Sequence, residues 1–175
     1  MTSLELLAAE LPWFAPTLVF ILGLCVGSFL NVCIYRMPRG LSVAHPNSFC
    51  PRSQTPLKWW ENIPVLSFLL LCGRGRASKE PISWQYPVVE LLTATLFITL
   101  WHSFAPGVAI AYMLLTALFV AGSFIDWQFK IIPDTITVGG TVAGLIACIW
   151  VPALHSVAGQ DINASLTAFG IGLQG

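Results

Sequence analysis

In the stretch FIDWQFKIIPD, residues 124–134, Asp126 stands directly after a long apolar run, and Asp134 follows eight residues later behind Pro133. A carboxylate at the edge of an apolar segment is costly to keep, so its presence is a functional hypothesis. Two carboxylates that share a proton can activate water for peptide hydrolysis, one holding the proton while the other acts as base. Asp126 would supply half of such a dyad, and nothing in its local sequence identifies the other half. The competing reading of Asp126 is a helix-end carboxylate in the lipid headgroup layer, paired with Lys130 four residues on. Pro133-Asp134 reads as a helix start, because proline fixes φ and an acidic side chain suits the positive end of a helix. Asp134 becomes a dyad partner only if the connector folds back. Glu90, inside another apolar run, needs a polar partner or water and is a further candidate, with snorkelling toward the near membrane face as the simpler account.

The elements that must position these groups are legible in the composition. The 175 residues are 56% hydrophobic and 9% charged, with a mean hydropathy of +0.78, which marks a membrane protein. Eight basic and eight acidic residues cancel, so overall charge points to no nucleic-acid partner. Five cysteines, an odd number and mostly within apolar runs, give no disulfide framework. The N-terminal stretch MTSLELLAAELPW has no basic residue and no small-residue cleavage site follows it, so the first apolar run is expected to stay in the protein. A span needs about 20 mostly apolar residues. Residues 14–35, 87–104, 107–125 and roughly 136–153 are expected to cross the membrane, and 164–175 begin a partial fifth helix. The predicted fold is an all-α polytopic membrane protein with about four transmembrane helices and a large cytoplasmic loop after the first.

That loop, 36–86, holds Arg36, Arg39, Arg52, Lys58, Arg74, Arg76 and Lys79, seven of the eight basic residues. Counting basic residues on each side orients the chain with the loop and Lys130 inside. Asp126 and Asp134 then lie at the cytoplasmic face, and Asp161 falls on the opposite side. Within the loop, residues 63–72 are apolar but too short to cross, so an interfacial or re-entrant segment is expected. Gly27 and Ser28 suit close helix packing, with Asn31 able to hydrogen-bond across that interface. Arg36 and Arg39 read as inside anchors, and Trp59, Trp60 and Trp84 as an interfacial belt. Three segments follow: 1–35 with the first span, the basic loop 36–86, and a membrane core, 87–175.

Four stretches, GSFLNVCIYRMPRG, ENIPVLSFLLLCGRGR, ISWQYPVVELLTA and FIDWQFKIIPD, occur in the order and spacing of one family. The chain resembles a prepilin peptidase, the bacterial type IV leader peptidase, over most of residues 23–145. The resemblance implies an aspartic peptidase of the inner membrane, with Asp126 as one catalytic carboxylate. It implies prepilin or pseudopilin substrates, cut at a short basic leader on the cytoplasmic side, in type IV pilus assembly or type II secretion. Membrane lipid is the other implied partner. Many members also methylate the new N-terminus, which would make S-adenosylmethionine the cofactor of a second activity; proteolysis itself needs none. The family's second aspartate belongs to a Gly-x-Gly-Asp motif that residues 1–175 do not contain, so the core 87–175 is expected to be C-terminally incomplete.

Many members also carry two Cys-x-x-Cys pairs in the loop. Here the first keeps Cys50 with Ser53, and the second has Gly75 and Ser78. One thiol, even with His45 nearby, falls short of the four ligands of a structural zinc site, so zinc is not expected. Two alternatives stay open: a truncated, non-catalytic member of the family, or a non-enzymatic membrane subunit. A transporter would call for polar residues near the bilayer midplane in repeated halves, and neither is evident.

Overall fold

The four expected spans emerge as four long helices. The structure is a computed structural model that describes residues 12–44, 60, 63–76 and 79–151. Helix α1 is Phe14–Arg36, α2 the short Leu66–Leu70, α3 Gln85–Ser103, α4 Pro106–Phe129 and α5 Asp134–Trp150. No β-strand forms among the described residues, and an isolated bridge joins Arg74 to Pro81. The start expected for a fifth helix, 164–175, and the connector before it lie outside the described residues.

Each helix begins and ends where local chemistry dictates. Ala105 is extended and Pro106 opens α4, a position where the missing N–H costs nothing. Lys130 closes α4 in the left-handed region at φ 58°, donating its N–H to the Asp126 carbonyl at 2.9 Å. Hydroxyls within the apolar helices are satisfied internally: Thr93, Thr95, Thr99 and Ser103 each donate to the carbonyl four residues back. This removes the cost of carrying them in a segment without water.

The helices alternate in direction. The most extensive packing is α1 against α3, while α4 touches α1, α3 and α5. Contacts between α1 and α3 step by four residues in opposite senses. A Cβ on Gly23 would lie 2.5 Å from Ala94 Cα, one on Gly27 would lie 2.6 Å from Glu90 Cα, and Asn31 Nδ2 donates to the Tyr86 carbonyl at 3.1 Å. The expected close approach and the Asn31 crossing bond are both present, with Gly23 as the partner of Gly27 one turn away. On α4, Ala109, Met113, Ala117, Ala121 and Ile125 form the buried stripe of a central helix.

The opposite faces are apolar and uncovered. Ile21, Phe29, Ile110, Leu114, Phe119, Leu145 and Ile149 are all exposed. A soluble monomer rarely exposes so continuous an apolar surface, whereas lipid is a fitting solvent for it. By length and composition α1 with its C-terminal extension and α4 can each cross a membrane; α5 is apolar but shorter. The protein is a helical membrane protein.

The apolar segment of the loop contains α2, which exposes Leu66, Leu69 and Leu70 and buries Phe68. Phe68 packs against Trp84 with ring centroids 4.8 Å apart and the rings tilted by 57°. Beyond it the chain reverses through backbone bonds: Gly75 N–H to the Glu80 carbonyl, Lys79 N–H to the Gly75 carbonyl and Ile82 N–H to the Gly73 carbonyl. Gly75, the first position of the second cysteine pair, is held by two of these main-chain bonds.

Candidate active site

Helix direction brings the C-terminal ends of α1 and α4 together with the N-terminal ends of α3 and α5. Asp126 occupies the last turn of α4 and is exposed there. Two side-chain contacts hold this turn against its neighbours. Gln128 Nε2 donates to Gln85 Oε1 at 2.7 Å, tying α4 to the start of α3. The Arg39 guanidinium lies 5.0 Å from the Phe129 ring centroid and 4.1 Å from that of Tyr35, tying α4 to the end of α1. Arg39 Nη1 is itself fixed by the Tyr35 carbonyl at 2.6 Å. Stacked cation–π contacts of this kind contribute about 0.5–1 kcal/mol each at exposed sites.

Lys130 does not form the ion pair with Asp126 that the four-residue spacing allows. Its left-handed backbone sends the ammonium over the Trp127 ring, 5.7 Å from the centroid. The Asp126 carboxylate therefore stays open to solvent. Asp134 is the first residue of α5, behind an extended Pro133, as the sequence predicts. It is exposed and makes no side-chain cap, so it acts on the helix through charge alone. Both aspartates lie at the same end of the bundle.

Glu90 departs from the snorkelling expectation. Its side chain is buried, 6% exposed, because the absent Cβ of Gly27 lets α1 close directly over it. The carboxylate accepts the Val65 N–H at 2.7 Å and a hydrogen bond from Ser28. It faces α1 and the loop, not the exposed turn that carries Asp126, so the two carboxylates are not brought together. Arg36 departs too. It is buried and donates to the Ser42 carbonyl at 3.0 Å, because a 3-10 turn at Met37–Arg39 and a left-handed Gly40 at φ 65° double the chain back over it. His45, Cys50, Ser53, Ser78 and Asp161 lie outside the described residues.

Sequence reasoning did not find the Gln85 to Gln128 bridge or the Arg39 clamp. Both pair residues more than 40 positions apart whose types are unremarkable. A polar glutamine just inside each of two apolar helices was the available signal.

Comparison with known proteins bears on this arrangement. Residues 21–104 match the Bacterial Peptidase A24 N-terminal domain, a stretch that holds Glu90 and ends before Asp126. The chain is 38% identical to a Prepilin leader peptidase/N-methyltransferase of Klebsiella pneumoniae, over 87% of this chain and 71% of that protein. It is 46% identical to one from Myxococcus xanthus over 77% of this chain and 40% of that protein. One from Aeromonas hydrophila is 39% identical over 83% of this chain and 59% of that protein. The chain thus spans 40% to 71% of the length of these three relatives. An aligned region covering 87% of 175 residues necessarily includes position 126. No solved structure matches.

Proposed function

Because the chain belongs to the prepilin leader peptidase/N-methyltransferase family, we propose that it serves as an aspartic peptidase removing the leader of prepilins or pseudopilins at the cytoplasmic face of the bacterial inner membrane, with Asp126 as one of the two carboxylates. The observation that carries this reading is an exposed Asp126 on a clamped helix end, at the end of the bundle that carries Arg39 and Lys130, within the region shared with prepilin peptidases. All four long helices cross the bilayer in this reading, with the loop inside, as the basic-residue count requires.

A substrate helix would lie in lipid beside the exposed apolar faces, and its basic leader would emerge at the end where Asp126 and Asp134 stand. There a carboxylate with its partner deprotonates the attacking water while the protonated member donates to the scissile carbonyl. Open solvent at Asp126 supplies the water. Methylation of the new N-terminus, with S-adenosylmethionine as donor, belongs to the same proposal, and no residue is assigned to it. The use of the product in pili or secretion is set by the substrate rather than by the site.

The test is prepilin processing, followed by gel mobility, in cells that lack their own peptidase and receive this protein or its Asp126→Asn variant. Cleavage by the first and not the second is expected. Cleavage that survives Asp126→Asn would remove Asp126 from the mechanism. No cleavage by either, with both proteins present in the membrane, would favour the non-catalytic member of the family.

A further inference from the structure

The segment between α1 and α3 contains a strained residue where a buried charge meets it. Val65 has φ 59° and ψ −47°, outside the regions open to residues with a side chain, a conformation that a β-branched residue adopts only under constraint. Its neighbours close a three-residue turn around it, with Leu66 N–H donating to the Pro64 carbonyl at 2.5 Å. This is the γ-turn of the uncommon, strained hand. Such a conformation persists where its surroundings over-determine it. Here the surroundings are the Glu90 carboxylate, which accepts the Val65 N–H at 2.7 Å from inside the α1–α3 interface.

We propose that Glu90 is a latch: its buried carboxylate holds segment 63–76 on the α1–α3 helix pair through the Val65 N–H, against the strain stored at Val65. Three features converge on this role. Gly27 removes the Cβ that would otherwise displace Glu90, so the carboxylate is placed under α1 and beside Ser28. Burying a carboxylate costs several kcal/mol unless it is hydrogen-bonded, so the pairing with Val65 satisfies the acid and fixes the loop in one step. On α2 the apolar fastening is small: Phe68 is buried and packs against Trp84, while Leu66, Leu69 and Leu70 face outward. The Val65–Glu90 bond and the Phe68 ring join the segment to the helix pair from within, its far end being tied by the main-chain bonds of Gly73 and Gly75 to Ile82 and Glu80, and strain at Val65 favours release of its near end. A carboxylate committed in this way is a positioning group for the loop and is unavailable to Asp126 as a proton partner.

Backbone hydrogen exchange in the full chain in lipid or detergent tests it, read by mass spectrometry on peptides covering 63–76 and, separately, α1 and α3. Glu90→Ala is expected to speed exchange in 63–76 by about tenfold or more, the loss of one hydrogen bond to a charged group, with α1 and α3 unchanged. Glu90→Gln keeps an acceptor oxygen without the charge and is expected to give a smaller increase. Val65→Gly, which relieves the positive φ while leaving Glu90 intact, is expected to slow exchange in the segment. Unchanged exchange in 63–76 for Glu90→Ala would overturn the latch. So would equal acceleration of α1 and α3, which would make Glu90 a packing element of the bundle, or faster exchange in Val65→Gly.

Discussion

Replacing Gly27 by alanine probes the contact on which the whole α1–α3 arrangement rests. The added Cβ would meet Glu90 Cα at 2.6 Å and the Val89 carbonyl oxygen at 3.1 Å, both backbone atoms that cannot rotate away. Restoring ordinary contact, which begins at 3.4 Å, moves the helices apart by about 0.8 Å. The Asn31 to Tyr86 bond one turn along starts at 3.1 Å, so a shift of that size takes it to about 3.9 Å, beyond bonding. Overpacking of this kind costs about 1–3 kcal/mol, and an interhelical hydrogen bond in a membrane about 0.6 kcal/mol. The expected loss is therefore about 2–3 kcal/mol, read from reversible unfolding in mixed detergent micelles. Gly23→Ala should behave alike, and Ala94→Gly should not rescue it, because the obstructing atom is the Ala94 Cα at 2.5 Å. Gly144→Ala on α5 is the control: nothing lies within 4 Å of its Cβ, and alanine's better helix propensity leaves it neutral or slightly stabilised. Gly27→Ala and Gly23→Ala matching that control would refute the close approach of the two backbones.

Other perturbations separate the remaining contacts. Asn31→Leu removes the bond to Tyr86 together with a buried Oδ1 that has no partner, so the two effects oppose. Its unfolding free energy should lie within about 1 kcal/mol of the parent, whereas Asn31→Asp, which puts an anion against the Gly27 and Tyr86 carbonyls, should lose at least about 2 kcal/mol at neutral pH in the same assay. Lys130→Gly fills a left-handed C-cap at φ 58° with the residue suited to it and should raise stability by about 0.5–1 kcal/mol in thermal unfolding. Metal analysis of the purified protein should find zinc well below one equivalent, since the loop retains one of the four cysteines of the paired motifs.

The apolar runs alone determined the helices: α1, α3, α4 and α5 fall within a few residues of the expected spans, because each is long, apolar and bounded by proline, charge or a polar turn. The candidate carboxylates were equally legible, since an acid beside an apolar run is costly wherever the chain folds. Which neighbour each meets was decided in three dimensions. Glu90 could have snorkelled or been buried, and the bare face of Gly27 chose burial by letting α1 close over it. Lys130 stood at the right spacing to pair with Asp126, and its left-handed backbone sent it to Trp127 instead. The Gln85 to Gln128 bridge and the Arg39 clamp join residues distant in sequence, and only the register between helices brings them within reach. Hydrophobic periodicity specifies where a helix runs and which face is apolar. The rotation and approach of two such faces follow from side-chain volume at a few contacts, here Gly23 and Gly27, and with them the surroundings of every polar group between the helices.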